Sequence, residues 1–387
     1  MISIKKSKLV LFGMLFSVIL LAISLSILAN MYQEAEASLQ PVTEEPHSLR
    51  TYSVASKIIE EKTTLGAIGD ILIHDWVYED AKTQSGYDFT PMFKQIRSLL
   101  SEPDILLANQ ETILGGEEIG ISSYPTFNSP QEVGDALGSA GVDIVSTANN
   151  HSLDKGERGL LASLDYLDKI KLPHVGTFRS PEEQQTLKIL NSNGIKIAYL
   201  SYTYGTNGIP VPQGKGYLVN LIDKAKMKAE IEKAKQQADL VVMSLHWGNE
   251  YQRFPSETQK ELGQFLVNSG VDILFGHHPH VLQPINWVKA DDGREALVVY
   301  SLGNFLSGQM WDYKDIGGMA TVDVTKTVNE NGTAIQLSNP RFHPTYVSNQ
   351  HLRNYQIVPL QDAEPYGLTN ASTKYNEIMN HMTKGLQ

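Results

Sequence analysis

The densest group of chemically useful residues in the chain is Gly276-His277-His278-Pro279-His280-Val281, three imidazoles set directly after the apolar run Val271–Phe275. Neutral imidazoles that aim at one point need a rigid mount, and Pro279 supplies one by fixing its own φ. Five further polar clusters share this setting. Gly69-Asp70, with His74 four residues on, follows Leu65–Ile68, and Asn109-Gln110-Glu111 follows Ile105–Ala108. Asn149-Asn150-His151, with Asp154 and Gly156, follows Val142–Ser146. His246-Trp247-Gly248-Asn249-Glu250 follows Leu240–Leu245, and Gly303-Asn304 follows Val298–Leu302.

These residue types point to metal chemistry. The chain contains no cysteine, which excludes disulfides, thiolate metal sites and a cysteine nucleophile and leaves only N and O ligands. A two-metal hydrolytic centre needs a bridging carboxylate to hold two cations close, further carboxylate, amide and imidazole ligands, and an acid/base that stays unligated. Asp, Glu, Asn and His suit one or two borderline-hard divalent ions such as Mn²⁺, Fe²⁺ or Zn²⁺. Taken singly, each cluster has a plainer reading. Gly-Asp after a strand makes a turn or cap, Asn149-Asn150 a turn pair, and Glu111 a helix-start carboxylate. A lone His246 serves as a hydrogen-bonded structural histidine, and Trp247 as packing or a pocket wall. Their joint occurrence changes the weighing, because six of the eleven histidines fall in clusters that each follow an apolar run.

Elements must bring these clusters together. The apolar runs predict strands over Leu65–Ile71, Ile105–Ala108, Val142–Ser146, Ile195–Ser201, Leu240–Leu245, Val271–Phe275 and Ala296–Ser301. Helical spacing predicts Met92–Leu100, Glu157–Ile170, Asp223–Ala238 and Ser256–Ser269, the third with a solvated face of Lys and Glu. Strands alternating with helices are the signature of an α/β fold, in which ligands bind beyond the carboxyl ends of the strands. Met319–Val324 and Ala334–Phe342, separated by Asn331-Gly332, predict a hairpin closing the sheet.

The amino terminus carries its own signal. Lys5, Lys6 and Lys8 precede Leu9–Ala29, and no charged residue occurs between Lys8 and Glu34. About 20 apolar residues span a bilayer as a helix, and flanking basic residues prefer the cytoplasmic side. The expected organisation is a cytoplasmic segment over 1–8, a single-pass anchor over 9–30, and a stalk over 31–62. A domain over 63–345 follows outside the cytoplasm, then a C-terminal extension over 346–387. A cleaved signal peptide is the competing reading, since Ala35-Glu36-Ala37 resembles a small-x-small cleavage site. The formal charge of −11 excludes nucleic acid as an expected partner, because phosphate backbones select basic surfaces.

In this order the motifs resemble the CapA/PgsA family of poly-γ-glutamate capsule synthesis, related to calcineurin-like metallophosphoesterases. They are Gly69-Asp70, Asn109-x-Glu111, Asn149-Asn150-His151-x-x-Asp154-x-Gly156, His246-Trp247-Gly248-x-Glu250, Gly276-His277-His278-Pro279-His280-Val281 and Ser301-Leu302-Gly303-Asn304-Phe305. The resemblance runs from about Leu65 to Phe305. It implies a four-layer α/β/β/α sandwich of the metallophosphoesterase type, with the N-terminal transmembrane helix ahead of it. It also implies a divalent metal and a context of poly-γ-glutamate or another envelope polymer, the membrane, and capsule synthase and export subunits. Carried over residue by residue, Asp70 would ligate one metal and Glu111 would bridge. Asn150, His246 and His278 would ligate the second metal, and His280 would return to the first. His151 would be the unligated acid/base, oriented by Asp154. His74, Asn109, Asn149, Trp247, Glu250 and Asn304 would lie in the pocket or behind the ligands, and His277 behind them or at the surface. The metallophosphoesterase pattern Asp-x-His has no counterpart, since His74 lies four residues after Asp70. Three functions fit: a capsule protein with a metal-dependent hydrolase-like site, an independent envelope phosphoester or amide hydrolase, and a non-catalytic metal-stabilised polymer-binding module.

Overall fold

The structure is a computed structural model, and residues 3–38 and 58–386 are described. Of the stalk expected over 31–62, residues 39–57 lie outside the described residues. The helix Ser3–Ser38 forms a unit by itself. Within it Gly13–Glu34 has a mean hydropathy of 2.3. At 1.5 Å per residue such a stretch is about 33 Å long, enough to cross a bilayer core of about 30 Å.

From Ile59 the chain builds two sheets. In the first, β1 (Ile59–Leu72), β2 (Ile105–Gln110), β3 (Ile144–Ser146) and β4 (His174–Val175) run parallel in that order. The second holds β5 (Lys188–Ser192), β6 (Ile195–Thr203), β7 (Leu240–His246), β8 (Ile273–His277), β9 (Leu282–Lys289) and β10 (Glu295–Leu302). Its order is β5-β6-β7-β8-β10-β9, with β6, β7, β8 and β10 parallel. The chain then returns to the first sheet. There β11 (Asn304–Ser307) pairs with the end of β1, and β12 (Ile316–Asn329), β13 (Gly332–Ser348) and β14 (Gln356–Pro359) extend the other edge antiparallel.

Three cores make four layers. Ile68, Leu106, Ala108 and Val145 of the first sheet pack under Val133, Ala136 and Leu137 of the helix Glu132–Ala140. Between the sheets lie Leu65, Ala67 and Leu107 from one side and Ile197, Val242, Ile273 and Phe275 from the other. Beyond the second sheet, Met243, Leu274 and Val298 pack against Met227 and Ile231 of the helix Lys224–Lys235 and Leu266 of the helix Glu257–Ser269. The four-layer α/β/β/α sandwich expected from the resemblance is thus the observed arrangement. Alternation explains it: successive strand residues face opposite sides, so a strand buried on both faces serves two cores at once.

Local signals set the helix ends. Ser256 and Gln259 form a reciprocal capping box at the start of Glu257–Ser269, and Gly270, at φ +118°, closes it in the left-handed region. Some expectations shift. Met92–Leu100 is not one helix but a 3₁₀ turn, Thr90–Phe93, followed by Arg97–Leu100. The helix Glu132–Ala140 was not expected: Val133, Ala136, Leu137 and Ala140 keep a helical period, but it is short and carries two poor helix formers, Gly134 and Gly138. The segment read as a C-terminal extension folds back on the domain: β14 pairs with β13, and the helix Ala371–Thr383 buries Ile378 and Met382 in the inter-sheet core. Ile378→Ala is expected to cost about 2–5 kcal/mol of unfolding free energy, as for other large-to-small changes in cores. Denaturant unfolding measures this, and an unchanged midpoint would mean that the helix contributes nothing to the core.

Candidate metal centre

The carboxyl ends of β1, β2, β3, β7, β8 and β10 meet at one place, and every polar cluster of the sequence lies in the last residues of one of them or just past it. Two glycines permit the close approach. A Cβ on Gly69 would lie 2.0 Å from the carbonyl oxygen of Gly303, where the Asp70 amide donates to that same oxygen at 2.8 Å. A Cβ on Gly276 would lie 2.0 Å from the Tyr300 carbonyl oxygen. The following turn is strained, with His278 at φ +94° and His280 at φ +57° on either side of Pro279. Such conformations cost of order 1–3 kcal/mol for a non-glycine residue and persist where the surroundings over-determine them. They turn both rings inward.

Asp70 and Glu111 are fully buried at the centre. The Asn109 amide donates to Asp70 Oδ1 at 2.9 Å, and the His278 backbone N–H to Oδ2 at 3.3 Å. Burial pushes the Asp70 carboxyl up, but the His277 and His280 rings beside it hold it well below the usual range. Glu111 behaves oppositely: burial, then the Asp70 charge, push its carboxyl well above the usual range. Among the described residues, neither Glu111 oxygen nor Nδ1 of His278 has a hydrogen-bond partner, and all three atoms are buried. The nearest imidazole nitrogens, Nε2 of His246 and of His280, lie 3.6 and 3.7 Å from Glu111 Oε1, beyond hydrogen-bond reach.

Burial holds the His246 ring well below its ordinary pKa and that of His278 down to about 3, so both stay neutral as ligands must. Burial opposes protonation of His280 too, but the neighbouring Glu111 and Asp70 carry it up to about 9. Glu111, His278 and His280 place one ligand atom each within 4.8 Å of one another, and Asp70, Glu111 and His246 do the same. Orphaned buried oxygens are expensive. A divalent cation is the partner that this set of O and N atoms fits.

Beside the centre opens a cavity of about 460 Å³, lined by His151, Asp154, Asn150, His280, Glu250 and His74 among others. His151 Nδ1 lies 2.7 Å from Asp154 Oδ2, which also accepts the Phe127 backbone N–H at 2.5 Å. The Phe127 ring meets His151 edge-on at 4.7 Å. Asn150 Oδ1 lies 2.8 Å from His246 Nε2. Among the described residues, no Lys or Arg lines this cavity.

The other expected residues divide. Asn109 links Asp70 to His246, lying 3.4 Å from His246 Nδ1, and Asn304 Oδ1 lies 3.1 Å from His280 Nδ1. Asn149 shapes the turn, accepting the His151 amide and donating to the Gln110 carbonyl. Glu250 is exposed at the cavity mouth. His74 lies outside both ligand groups: it lines the cavity, stacked 5.5 Å from Trp76 and edge-on to Phe127, with its pKa pulled by burial to about 4. Trp247 is packing, not a pocket wall; it stacks on Tyr300 beneath Glu257–Ser269 and donates to the Tyr300 carbonyl. His277 is not at the surface but fully buried, Nδ1 3.3 Å from Asp70 Oδ1. Its face was legible, because Ile273 and Phe275 of β8 point between the sheets and His277 continues their alternation.

The sequence motifs missed Tyr204 and Asn207. The Tyr204 ring lies 4.6 Å from that of His278 and stacks 6.3 Å from that of His246. Asn207 Oδ1 accepts from the Asn150 amide at 3.2 Å, which turns Asn150 Oδ1 toward His246. Both sit in a Gly- and Pro-rich loop directly after the carboxyl end of β6, the same setting as the other clusters, which is the signal that could have found them.

The capsule biosynthesis protein CapA of Bacillus anthracis is 28% identical over 339 residues, covering 84% of this chain and 74% of the relative. The PGA biosynthesis protein CapA of Bacillus subtilis is 26% identical over 350 residues, covering 88% and 81%. Among solved structures, the calcineurin-like phosphoesterase YfkN of Bacillus subtilis aligns over 73% of this chain and 91% of its own, at 16% identity and a TM-score of 0.44. Residues 64–309, which carry every strand-end cluster described above, match the sequence profile of the bacterial capsule synthesis protein family PGA_cap, and the chain belongs to that family.

Proposed function

We propose that this protein is a membrane-anchored, extracytoplasmic subunit that assists poly-γ-glutamate capsule synthesis or export through a metal-dependent, hydrolase-type site. The observation that carries the site is Glu111, a fully buried carboxylate with two unpartnered oxygens, shared by both ligand groups. In this reading, which carries the family's pairing over, Asp70, Glu111 and His280 would hold one divalent ion and Glu111, Asn150, His246 and His278 a second; the ligand atoms that lie closest together group His278 with His280 and Asp70 with His246 about the same Glu111. The bound cation would supply electrophilic polarisation of a phosphoryl or carbonyl oxygen. Asp154 holds the His151 proton on Nδ1, which leaves Nε2 to exchange a proton with the leaving group in the cavity. The basic flank of the apolar helix supports a cytoplasmic amino terminus with the domain outside. The partners that follow are poly-γ-glutamate or another envelope polymer and the capsule synthase and export subunits.

Gene deletion tests the capsule role. Deletion is expected to deplete envelope polyglutamate, and the wild-type gene to restore it. Normal polymer in the deletion strain would overturn this role and favour an independent envelope hydrolase. Restoration by a His151→Ala gene would favour a non-catalytic, metal-stabilised polymer-binding module instead.

A further inference from the structure

Asn304 is not among the residues assigned above as ligands, yet its side chain is fully buried and both atoms of its amide have defined partners. Nδ2 donates to the Lys314 carbonyl at 2.8 Å and to Gln309 Oε1 at 3.1 Å. A carbonyl can only accept, so the amide cannot be flipped, and Oδ1 must face His280 Nδ1 at 3.1 Å. The other neighbour of that nitrogen is Asp70 Oδ2, also at 3.1 Å. Two acceptors about one ring nitrogen require a proton on it. Nε2 is then the nitrogen left to face Glu111 Oε1. Backbone pairing reinforces the placement, because Asp70 and Asn304 are register partners where β11 joins β1.

We propose that Asn304 is a positioning residue of the metal centre: through Oδ1 it holds the His280 proton on Nδ1 and so presents Nε2 as the metal-binding nitrogen. This rests on the metal reading above. Partners of a ligand's second ring nitrogen typically change metal affinity by 10–100-fold when removed. A plainer role competes. Asn304 could matter only by tying down the segment through Lys314, where Trp311, Asp312 and Tyr313 all have positive φ.

Two variants separate the roles. Asn304→Leu removes the acceptor and both donors, whereas Asn304→Asp keeps an acceptor for His280 and loses the donors. Zn²⁺ affinity by chelator competition is expected to fall about 10–100-fold in Asn304→Leu and to be retained in Asn304→Asp. In ¹⁵N-histidine spectra the His280 Nδ1–H resonance is expected to persist in Asn304→Asp and to shift or vanish in Asn304→Leu. Equal losses in both variants would overturn the proposal in favour of the tethering role, as would an unchanged Nδ1–H resonance in Asn304→Leu. If the wild-type protein takes up no Zn²⁺, the metal reading fails. The same spectra of the metal-free protein still decide the role of Asn304, since Nδ1 carries the proton in either case.

Discussion

Glu111→Ala is expected to abolish uptake of divalent metal, and with it the stabilisation that metal gives the wild-type protein. Glu111 belongs to both candidate ligand groups and to both ions of the proposed pairing, so its removal takes a carboxylate from every set of ligands. In the proposed pairing His278→Ala leaves Asp70, Glu111 and His280 for one ion and is expected to lower stoichiometry or affinity rather than to abolish binding; the Asp70, Glu111 and His246 group also keeps its three ligand atoms. At metal concentrations about 100-fold above Kd, a ligand that binds only the folded state stabilises it by about 2.7 kcal/mol. Thermal melts with and without Mn²⁺ should show that gain in the wild type and none in Glu111→Ala. Misfolding is a poor alternative explanation, because the deleted carboxyl has no hydrogen bond to lose and its burial is itself unfavourable. Metal-free Glu111→Ala should therefore melt no lower than metal-free wild type. Metal analysis by mass spectrometry gives the count directly, and unchanged stoichiometry in both variants would sink the assignment.

What was legible in the sequence follows from the parallel strands. A strand buried on both faces shows as a short apolar run, and the residues just past it sit at the sheet's carboxyl edge. That is why Asp70, Glu111, Asn150, His151, His246, His278 and His280 could be named together from sequence, and why they meet in space. Two sheets were harder to see. Nothing in the runs themselves says that β1 to β3 belong to one sheet and β6 to β8 to another, and the motif resemblance supplied that division. Orientation was legible only in part: alternation along β8 places His277 against Asp70, while Trp247, one residue beyond His246, turns to the opposite core. Loop residues were less legible. Tyr204 and Asn207 share the strand-end setting, but Phe127 and Gln309 reach the site from segments without periodicity or a motif, and only tertiary packing gives them their neighbours. The fold-back of the last helix escaped for a related reason. Ile378 and Met382, with Tyr375 and Met379 beside them, form a short apolar stripe, and the partners that bury it lie in strands far back in the chain.

His151→Ala carries the second large effect, and it separates chemistry from metal binding. Where the wild-type protein hydrolyses a test substrate, such as p-nitrophenyl phosphate or a γ-glutamyl anilide, this variant is expected to lose about 10²–10⁴-fold in rate, the usual contribution of a positioned general acid or base. Its metal content should not change, because His151 is outside both ligand groups and its Nδ1 is held by Asp154 Oδ2 at 2.7 Å. In the proposed mechanism Asp154 acts through the imidazole, fixing its proton and ring plane as the carboxylate does in a catalytic triad. Asp154→Asn should therefore slow the wild type but leave His151→Ala no slower than before, since residues that work as one unit are not additive. Asp154 also accepts the Phe127 amide, so the single variant is expected to loosen the edge-on Phe127 contact that walls the ring. Equal activity in His151→Ala would remove the residue from the mechanism. Loss of metal in that variant would make it a ligand, and a further drop in the double variant would give Asp154 a role independent of the imidazole.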